Sequence, residues 1–440
     1  MFAPMLCATR SCPPPVPIRE DRGSVPTNCA IWGWGRSWAQ GARRAYYGRV
    51  CRCSSALSAR IFSPVSDSQI PSGAQRHRRW ALVAERDWSD WRWQLRNRIT
   101  RLETLEELVE VTPEEREGIL RRGSTFPMAI TPHYLSLMGA ADCPVRRQAV
   151  PHVDELRSLP WDLEDPLAEE EHSPVGVLSH RYPDRALLYV THNCPVYCRH
   201  CTRQRKVGDA RSAPREKDLE AAYAYLERTP QIRDVLVSGG DPLSLSDTRL
   251  CTIMRRLREI SSVEIVRLCT RNPVTLPQRI TPALVDSLRE FHPIFVNTHF
   301  NHPRECSVEA GIALERLADA GFAVSNQSVL LRGVNDNAEA MITLSRWLLR
   351  HRCRPYYMFQ CDQVEGTTHL RTPLAEGLRI LDKMRGTLSG LGIPQFAVDL
   401  PGGGGKVTLV PDRRVGGEGD NHVFRTHDGR EFTFVDGAKP

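Results

Sequence analysis

Residues 186–201 read Ala186-Leu187-Leu188-Tyr189-Val190-Thr191-His192-Asn193-Cys194-Pro195-Val196-Tyr197-Cys198-Arg199-His200-Cys201. An apolar run of strand length, 186–190, passes directly into a loop carrying three cysteines spaced C-x₃-C-x₂-C. Three thiolates on one short loop can hold three irons of a cubane cluster, which leaves the fourth iron as an open binding position. A structural zinc site would need a fourth ligand. Downstream, apolar runs at 234–237, 265–268, 294–296, 324–330, 356–359 and 396–398 alternate with amphipathic stretches at 215–228, 247–260, 282–291, 307–320, 338–350 and 374–388. Gly321 stands where a helix over 307–320 would need its C′ residue. Strands that return through helices run parallel, so the chain is expected to be α/β, a partial or open (β/α) barrel with its functional groups where strands end. The cysteine loop lies at such a position.

Upstream, 88–109 reads as a helical stretch through Leu102, Leu105 and Leu108, and Thr112-Pro113-Glu114-Glu115 as a capping box with proline at the first helical position. An N-terminal helical region over 80–165 is therefore expected, then the barrel over 166–411 and a Gly-rich, charged tail over 412–440 that forms a short hairpin or a loose end. Residues 1–79, rich in Pro, Gly, Ser and Arg, have no sustained period, and no fold is assigned to them. They are arginine-rich and acid-poor in the manner of a transit peptide. An upstream start codon, leaving them outside the working protein, is the preferred expectation.

The chain has 440 residues, 59 basic against 52 acidic side chains and 41% hydrophobic residues. Its mean hydropathy is −0.38. These values exclude collagen, wholesale disorder and a polytopic membrane protein. The first 80 residues hold twelve arginines against three acidic residues, a net +9, which leaves the remaining 360 at −2. A near-neutral body gives no footprint for nucleic acid, and no apolar run approaches the roughly 20 residues of a membrane span. Five of the 14 cysteines fall in the first 79 residues, and the other nine have no disulfide-like spacing. A reduced, cytoplasmic protein is expected.

Two further motifs carry chemistry. The second strand ends in Ser238-Gly239-Gly240-Asp241, a small-residue turn one βα unit after the cysteine loop. The last ends in Asp399-Leu400-Pro401-Gly402-Gly403-Gly404-Gly405-Lys406. Consecutive glycines leave backbone N–H groups open to an anion such as phosphate, and a lysine follows directly. A phosphate cradle joined to a single amine suits pyridoxal phosphate held as a Schiff base.

Together these motifs resemble lysine 2,3-aminomutase, a radical SAM family, over about 88–411. Supporting runs include 180–185, 201–203, 297–303, 326–336 and 356–362. The resemblance implies a radical SAM-type barrel with a 4Fe–4S cluster on Cys194, Cys198 and Cys201, S-adenosylmethionine on its open iron, and pyridoxal 5′-phosphate on Lys406. It implies S-adenosylmethionine contacts from Ser238, Gly239, Gly240, Asp241, His299 and Gln327, and pyridoxal phosphate contacts from Arg181, Arg185 and Gly402, Gly403, Gly404 and Gly405. Arg203 matches the arginine that pairs with the substrate α-carboxylate, its planar fork suiting a bidentate grip. Asp362 and Asp399 match the pair that binds the distal ammonium of lysine, a pair lost in glutamate-specific relatives.

The implied reaction is hydrogen abstraction from C3 by a 5′-deoxyadenosyl radical, movement of the α-amino nitrogen to C3, and release of β-lysine. Its partners would be a small amino acid and an electron donor such as flavodoxin or ferredoxin, and a homo-oligomer is allowed. Arginine 2,3-aminomutase is the nearest rival, because a guanidinium also satisfies two carboxylates. An aminomutase acting in elongation-factor lysine modification shares much of the reading, and a non-catalytic iron–sulfur module is the rival from another class. No cysteine follows Lys406, so the structural zinc of some relatives is not expected.

Overall fold

The computed structural model describes residues 76–436 apart from 210 and 212. The expectation for 1–79 therefore lies outside the described residues save for its last four positions. Nine strands form one sheet in chain order: β1 (Leu178–Tyr182), β2 (Arg185–Thr191), β3 (Asp234–Gly239), β4 (Ile265–Cys269), β5 (Ile294–Thr298), β6 (Ala323–Leu330), β7 (Cys353–Gln360), β8 (Gln395–Leu400) and β9 (Gly405–Leu409). Strands β2 to β8 pair in parallel. Strands β1 and β9 run antiparallel to the two edges.

A run of parallel strands whose spatial order follows the chain curls into a barrel with helices outside, because every crossover has the same hand. No ladder joins β1 to β9, so the barrel stays open as expected. Side chains bridge the gap. The Tyr182 hydroxyl accepts the Lys406 backbone N–H at 3.0 Å, and an Arg181 guanidinium nitrogen lies 3.4 Å from Asp399.

Four of the outer helices begin where short polar side chains cap them. Ser246, Thr281, Ser307 and Asn337 accept N–H bonds from Arg249, Leu284, Ala310 and Ala340. In the helix Asp247–Glu259 the buried residues are Leu250, Ile253, Met254 and Leu257, the i, i+3, i+4, i+7 stripe that packs on the sheet. Gly321, at φ +89°, ends its helix as anticipated.

Two expectations are corrected. The helical stretch over 88–109 is broken into Glu85–Trp88, Trp91–Arg96 and Leu102–Glu106. Ile99 exchanges backbone hydrogen bonds with Ile130 at 2.8 and 3.0 Å, which demands extended backbone there. The capping box does form, with Thr112 Oγ1 accepting the Glu115 N–H at 3.2 Å and the Glu115 carboxylate accepting the Thr112 N–H at 3.0 Å. Trp80, Trp88 and Leu105 share one core with the strand residues Leu188, Val237 and Val266.

The tail, in turn, is more than a hairpin or loose end. Arg414–Gly416, Asn421–Arg425 and Glu431–Val435 form a three-stranded antiparallel sheet. Its cross-strand Phe424–Phe432 pair and the Asp428-Gly429 turn, with Gly429 at φ +85°, fix the register. Among the described residues no helix is long and apolar enough to cross a membrane.

Candidate active site

Side chains alternate across a strand, so every second residue enters the barrel. Ser179 and Arg181 on β1, Tyr357 and Phe359 on β7, and Lys406 and Thr408 on β9 line a cavity of about 470 Å³ with Leu187, Leu236, Arg267, Gln327 and Asp399. Four-membered layers of branched apolar side chains would fill a closed barrel. Here the interior is charged and hollow.

Strands β8 and β9 form a hairpin whose register sets Lys406 directly across from Asp399. The turn needs left-handed backbone at Gly402 (φ +65°), Gly403 (+75°) and Gly405 (+86°), a conformation costing other residues about 1–2 kcal/mol each. None of Gly402, Gly403, Gly404 and Gly405 lines the cavity. What their backbone visibly does is deliver Lys406. The Lys406 Nζ donates to Asp399 Oδ2 at 2.7 Å and lies 3.9 Å from the Phe359 ring centroid. Asp362 follows the end of β7. It keeps some exposed area, but surrounding protein and the neighbouring Asp399 carboxylate push its pKa up to about 7.

Arg203 connects this cavity to the cysteine loop. Its backbone N–H donates to Cys201 Sγ at 3.3 Å, while its guanidinium reaches the cavity wall. There it meets Glu169, a residue sequence reasoning missed. Arg203 Nε and Nη2 donate to Glu169 Oε1 at 2.9 and 2.6 Å. Burial works to raise the Glu169 pKa, but the Arg203 charge and hydrogen bonds outweigh it and keep the carboxylate below its ordinary value. In the sequence Glu169 is one of three consecutive glutamates, indistinguishable from a solvated acidic run.

The loop itself carries Cys194 and Cys201 against Phe126, Ala129, Tyr197 and Val207, and Cys198 Sγ accepts from Arg271 Nη1 at 2.7 Å. Burial raises the Cys194 thiol well above its usual value and the Cys201 thiol to about 11, with the neighbouring sulfurs adding to both. Such a donor set suits a polynuclear iron cluster, whose positive metal centres offset the cost of three adjacent, partly buried thiolates.

The Gly239–Gly240 turn presses on this loop. Gly240 N–H donates to Thr191 O at 2.6 Å and Asp241 N–H to Asn193 O at 2.8 Å. A Cβ on Gly240 would stand 2.4 Å from Asn193 O. Gly240→Ala should therefore lower stability by about 1–3 kcal/mol through forced backbone shifts, measured as a lowered melting temperature. An unchanged melt would contradict this close approach.

Both Asp241 oxygens are occupied by the Leu243 and Arg271 N–H groups and the Thr270 hydroxyl, at 3.0, 2.7 and 2.7 Å. Ser238 and Asp241 are buried. Burial lowers the His299 ring to about 4, leaving it neutral at pH 7. Among the described residues, His200 Nδ1, on the cysteine loop itself, is buried without a hydrogen-bond partner, which a polar ligand there would satisfy. The cavity thus gathers Arg181, Arg185, Arg203, Gln327, Asp399 and Lys406. Arg203 ties it to the cysteine loop, and the loop to the 238–241 turn. With one primary amine among three arginines besides Arg203 (Arg181, Arg185 and Arg267), the lining fits a phosphorylated aldehyde cofactor.

Residues 188–344 match the family model described as the radical SAM superfamily. Residues 381–437 match the one described as lysine-2,3-aminomutase, so the likeness extends through the C-terminal sheet rather than stopping near 411. An L-lysine 2,3-aminomutase from Acetoanaerobium sticklandii is 50% identical over 80% of this chain and 86% of its own length. The chain belongs to the lysine 2,3-aminomutase family. A further L-lysine 2,3-aminomutase, from Clostridium subterminale, is 49% identical over 81% and 87% of the two chains. A glutamate 2,3-aminomutase from Clostridioides difficile is 42% identical over 80% and 84%. Membership of this radical SAM aminomutase family makes the chain an isomerase and implies a 4Fe–4S cluster, S-adenosylmethionine and pyridoxal phosphate.

Proposed function

We propose that this chain interconverts L-lysine and β-lysine as a radical SAM, pyridoxal phosphate-dependent 2,3-aminomutase. The observation that carries the reading is the double engagement of Arg203, whose N–H meets Cys201 Sγ while its guanidinium lines the chamber of Lys406 and Asp399. When bound, the cluster and S-adenosylmethionine would supply a radical able to take hydrogen from C3, and pyridoxal phosphate a ring that delocalises the unpaired electron while the amine moves from C2 to C3. An external one-electron donor, such as a flavodoxin or ferredoxin, completes the requirement.

The protein's own residues bind, orient and exclude water. Lys406 provides the amine that carries pyridoxal phosphate between turnovers, and Arg181 and Arg185 stand over the Tyr182 ring as cations for its phosphate. Cys194, Cys198 and Cys201 would hold the cluster, and the 238–241 turn, His299 and Gln327 would contact S-adenosylmethionine. Glu169 occupies one edge of the Arg203 guanidinium, and Nη1, 3.5 Å from Ser238 Oγ, is left for the substrate α-carboxylate. Asp362 and Asp399 take the distal ammonium. The Lys406 ammonium already rests on Asp399 above Phe359, an arrangement that a substrate ammonium can repeat once Lys406 is engaged elsewhere. Tyr357 and Phe359 wall the chamber against solvent.

A glutamate-specific relative at 42% identity means that overall likeness does not choose the substrate. The acidic pair does, since a third carboxylate there would be repelled. Reconstitution without oxygen, using iron, sulfide, pyridoxal phosphate, S-adenosylmethionine and reductant, followed by chromatography, should yield β-lysine from lysine. Conversion of arginine alone would overturn the substrate, and no β-amino acid from lysine, arginine or glutamate would overturn the activity.

The Asp362 carboxyl adds a pH dependence. Because its pKa is pushed up to about 7, it is neutral below that pH and attracts the ammonium less. The kcat/KM for lysine should fall as pH drops through about 7. Asp362→Asn should flatten that limb and cost about tenfold to a hundredfold at pH 8, the worth of one charged hydrogen bond. A pH profile unchanged by the substitution would remove Asp362 from substrate binding.

A further inference from the structure

Arg271 follows β4, is only 9% exposed, and has every side-chain nitrogen engaged. Its Nε donates to His299 O at 3.1 Å. Its Nη2 donates to Gln148 Oε1 at 2.6 Å, Glu305 Oε1 at 2.7 Å and the Tyr134 hydroxyl at 3.2 Å. The remaining nitrogen, Nη1, points at Cys198 Sγ, 2.7 Å away. Glu305, fully buried, is itself fixed by the Tyr134 hydroxyl and the N–H groups of Asn301 and His302 at 2.8, 2.6 and 2.9 Å. The guanidinium is thus a cation clamped from the N-terminal helical region and from the segment after β5, with one edge delivered to a cysteine sulfur.

We infer that Arg271 is a positioning residue that raises the reduction potential of the iron–sulfur cluster through its charged hydrogen bond to Cys198, with Glu305 opposing it. The inference rests on the reading of Cys194, Cys198 and Cys201 as cluster ligands. Reduction adds a negative charge to the cluster, and a cation on a ligand sulfur stabilises the reduced state more than the oxidised one. Glu305 offsets part of that effect, so the pair sets the poise and neither group needs to touch substrate. No proton or bond changes hands.

The test is a redox titration of the anaerobically reconstituted full chain, followed by the electron paramagnetic resonance signal of the reduced cluster, with iron content measured for each protein. Arg271→Gln should lower the midpoint so that the reduced-to-oxidised ratio at the wild-type midpoint falls about tenfold, or about 59 mV for a one-electron couple. Arg271→Lys, which keeps the charge, should recover most of the shift. Glu305→Gln should move the midpoint the other way. A residue that only braces the loop would change iron content without opposite shifts in the two variants. Full iron content with an unmoved midpoint in Arg271→Gln and Glu305→Gln overturns the inference and leaves the cysteine reading standing. Should Arg271→Gln lose its iron, the sign of the Glu305→Gln shift decides: upward supports the inference, unmoved or downward sinks it. A wild-type chain that takes up no iron overturns the cysteine reading and the inference together.

Discussion

Lys406→Ala is expected to reduce β-amino acid formation by about 10³-fold or more, as loss of a covalently acting group does. Among the residues lining the cavity Lys406 is the one primary amine. Its arginine neighbours cannot take over, because a guanidinium stays protonated and does not condense with an aldehyde. The fold should survive, since the bond to Tyr182 comes from the Lys406 backbone N–H and Asp399 keeps Arg181 3.4 Å away. The measurements are product chromatography and the visible absorbance of lysine-linked pyridoxal phosphate, with circular dichroism as the control for folding. A variant that keeps wild-type absorbance and turnover would refute the assignment of Lys406.

Cys201→Ala is expected to lose most bound iron and sulfide and to bring activity below detection. Two sulfurs on the loop leave two irons of a cubane without protein ligands, and no other cysteine takes part in the site as assigned. The substitution removes one sulfur from a partly buried position beside Phe126 and Tyr197, so the melting temperature of the metal-free chain should change little. Cys251→Ala is the matched control. Cys251 lies on the outer helix Asp247–Glu259 and should leave iron content and turnover unchanged. Equal iron in Cys201→Ala and wild type would show that the cluster has other ligands.

The seven parallel strands were legible in the sequence because strand and helix periods alternate with little interruption from Ala186 onward, and four of the helix starts carry a short polar cap. The two antiparallel edge strands were not. Leu178–Tyr182 is mostly polar, and Gly405–Leu409 follows a run of glycines with only Val407 and Leu409 apolar, too short an alternation to mark a strand. Their value appears only on curling, when Arg181 meets Asp399, 218 positions later. The break in the helical stretch after Trp88 was equally hidden, since the extended backbone at Ile99 answers to Ile130 and not to its neighbours. Glu169 had no local signal at all. Its meaning comes from the burial that pairs it with Arg203.

By itself the sequence determined the βα alternation, the three-cysteine loop, the glycine-rich turn with its lysine, and the acidic residues at two strand ends, because each is a matter of local period or of chemistry carried within a few residues. Tertiary structure alone decided that Lys406 would face Asp399 across a hairpin, that Glu169 would share Arg203 with the chamber, and that Arg271 would aim at Cys198 from a clamp of buried partners. Two of those pairings join residues 34 and 73 positions apart, and the third spans the hairpin at the barrel's edge. They depend on how the strands close around a hollow interior, which no local periodicity encodes.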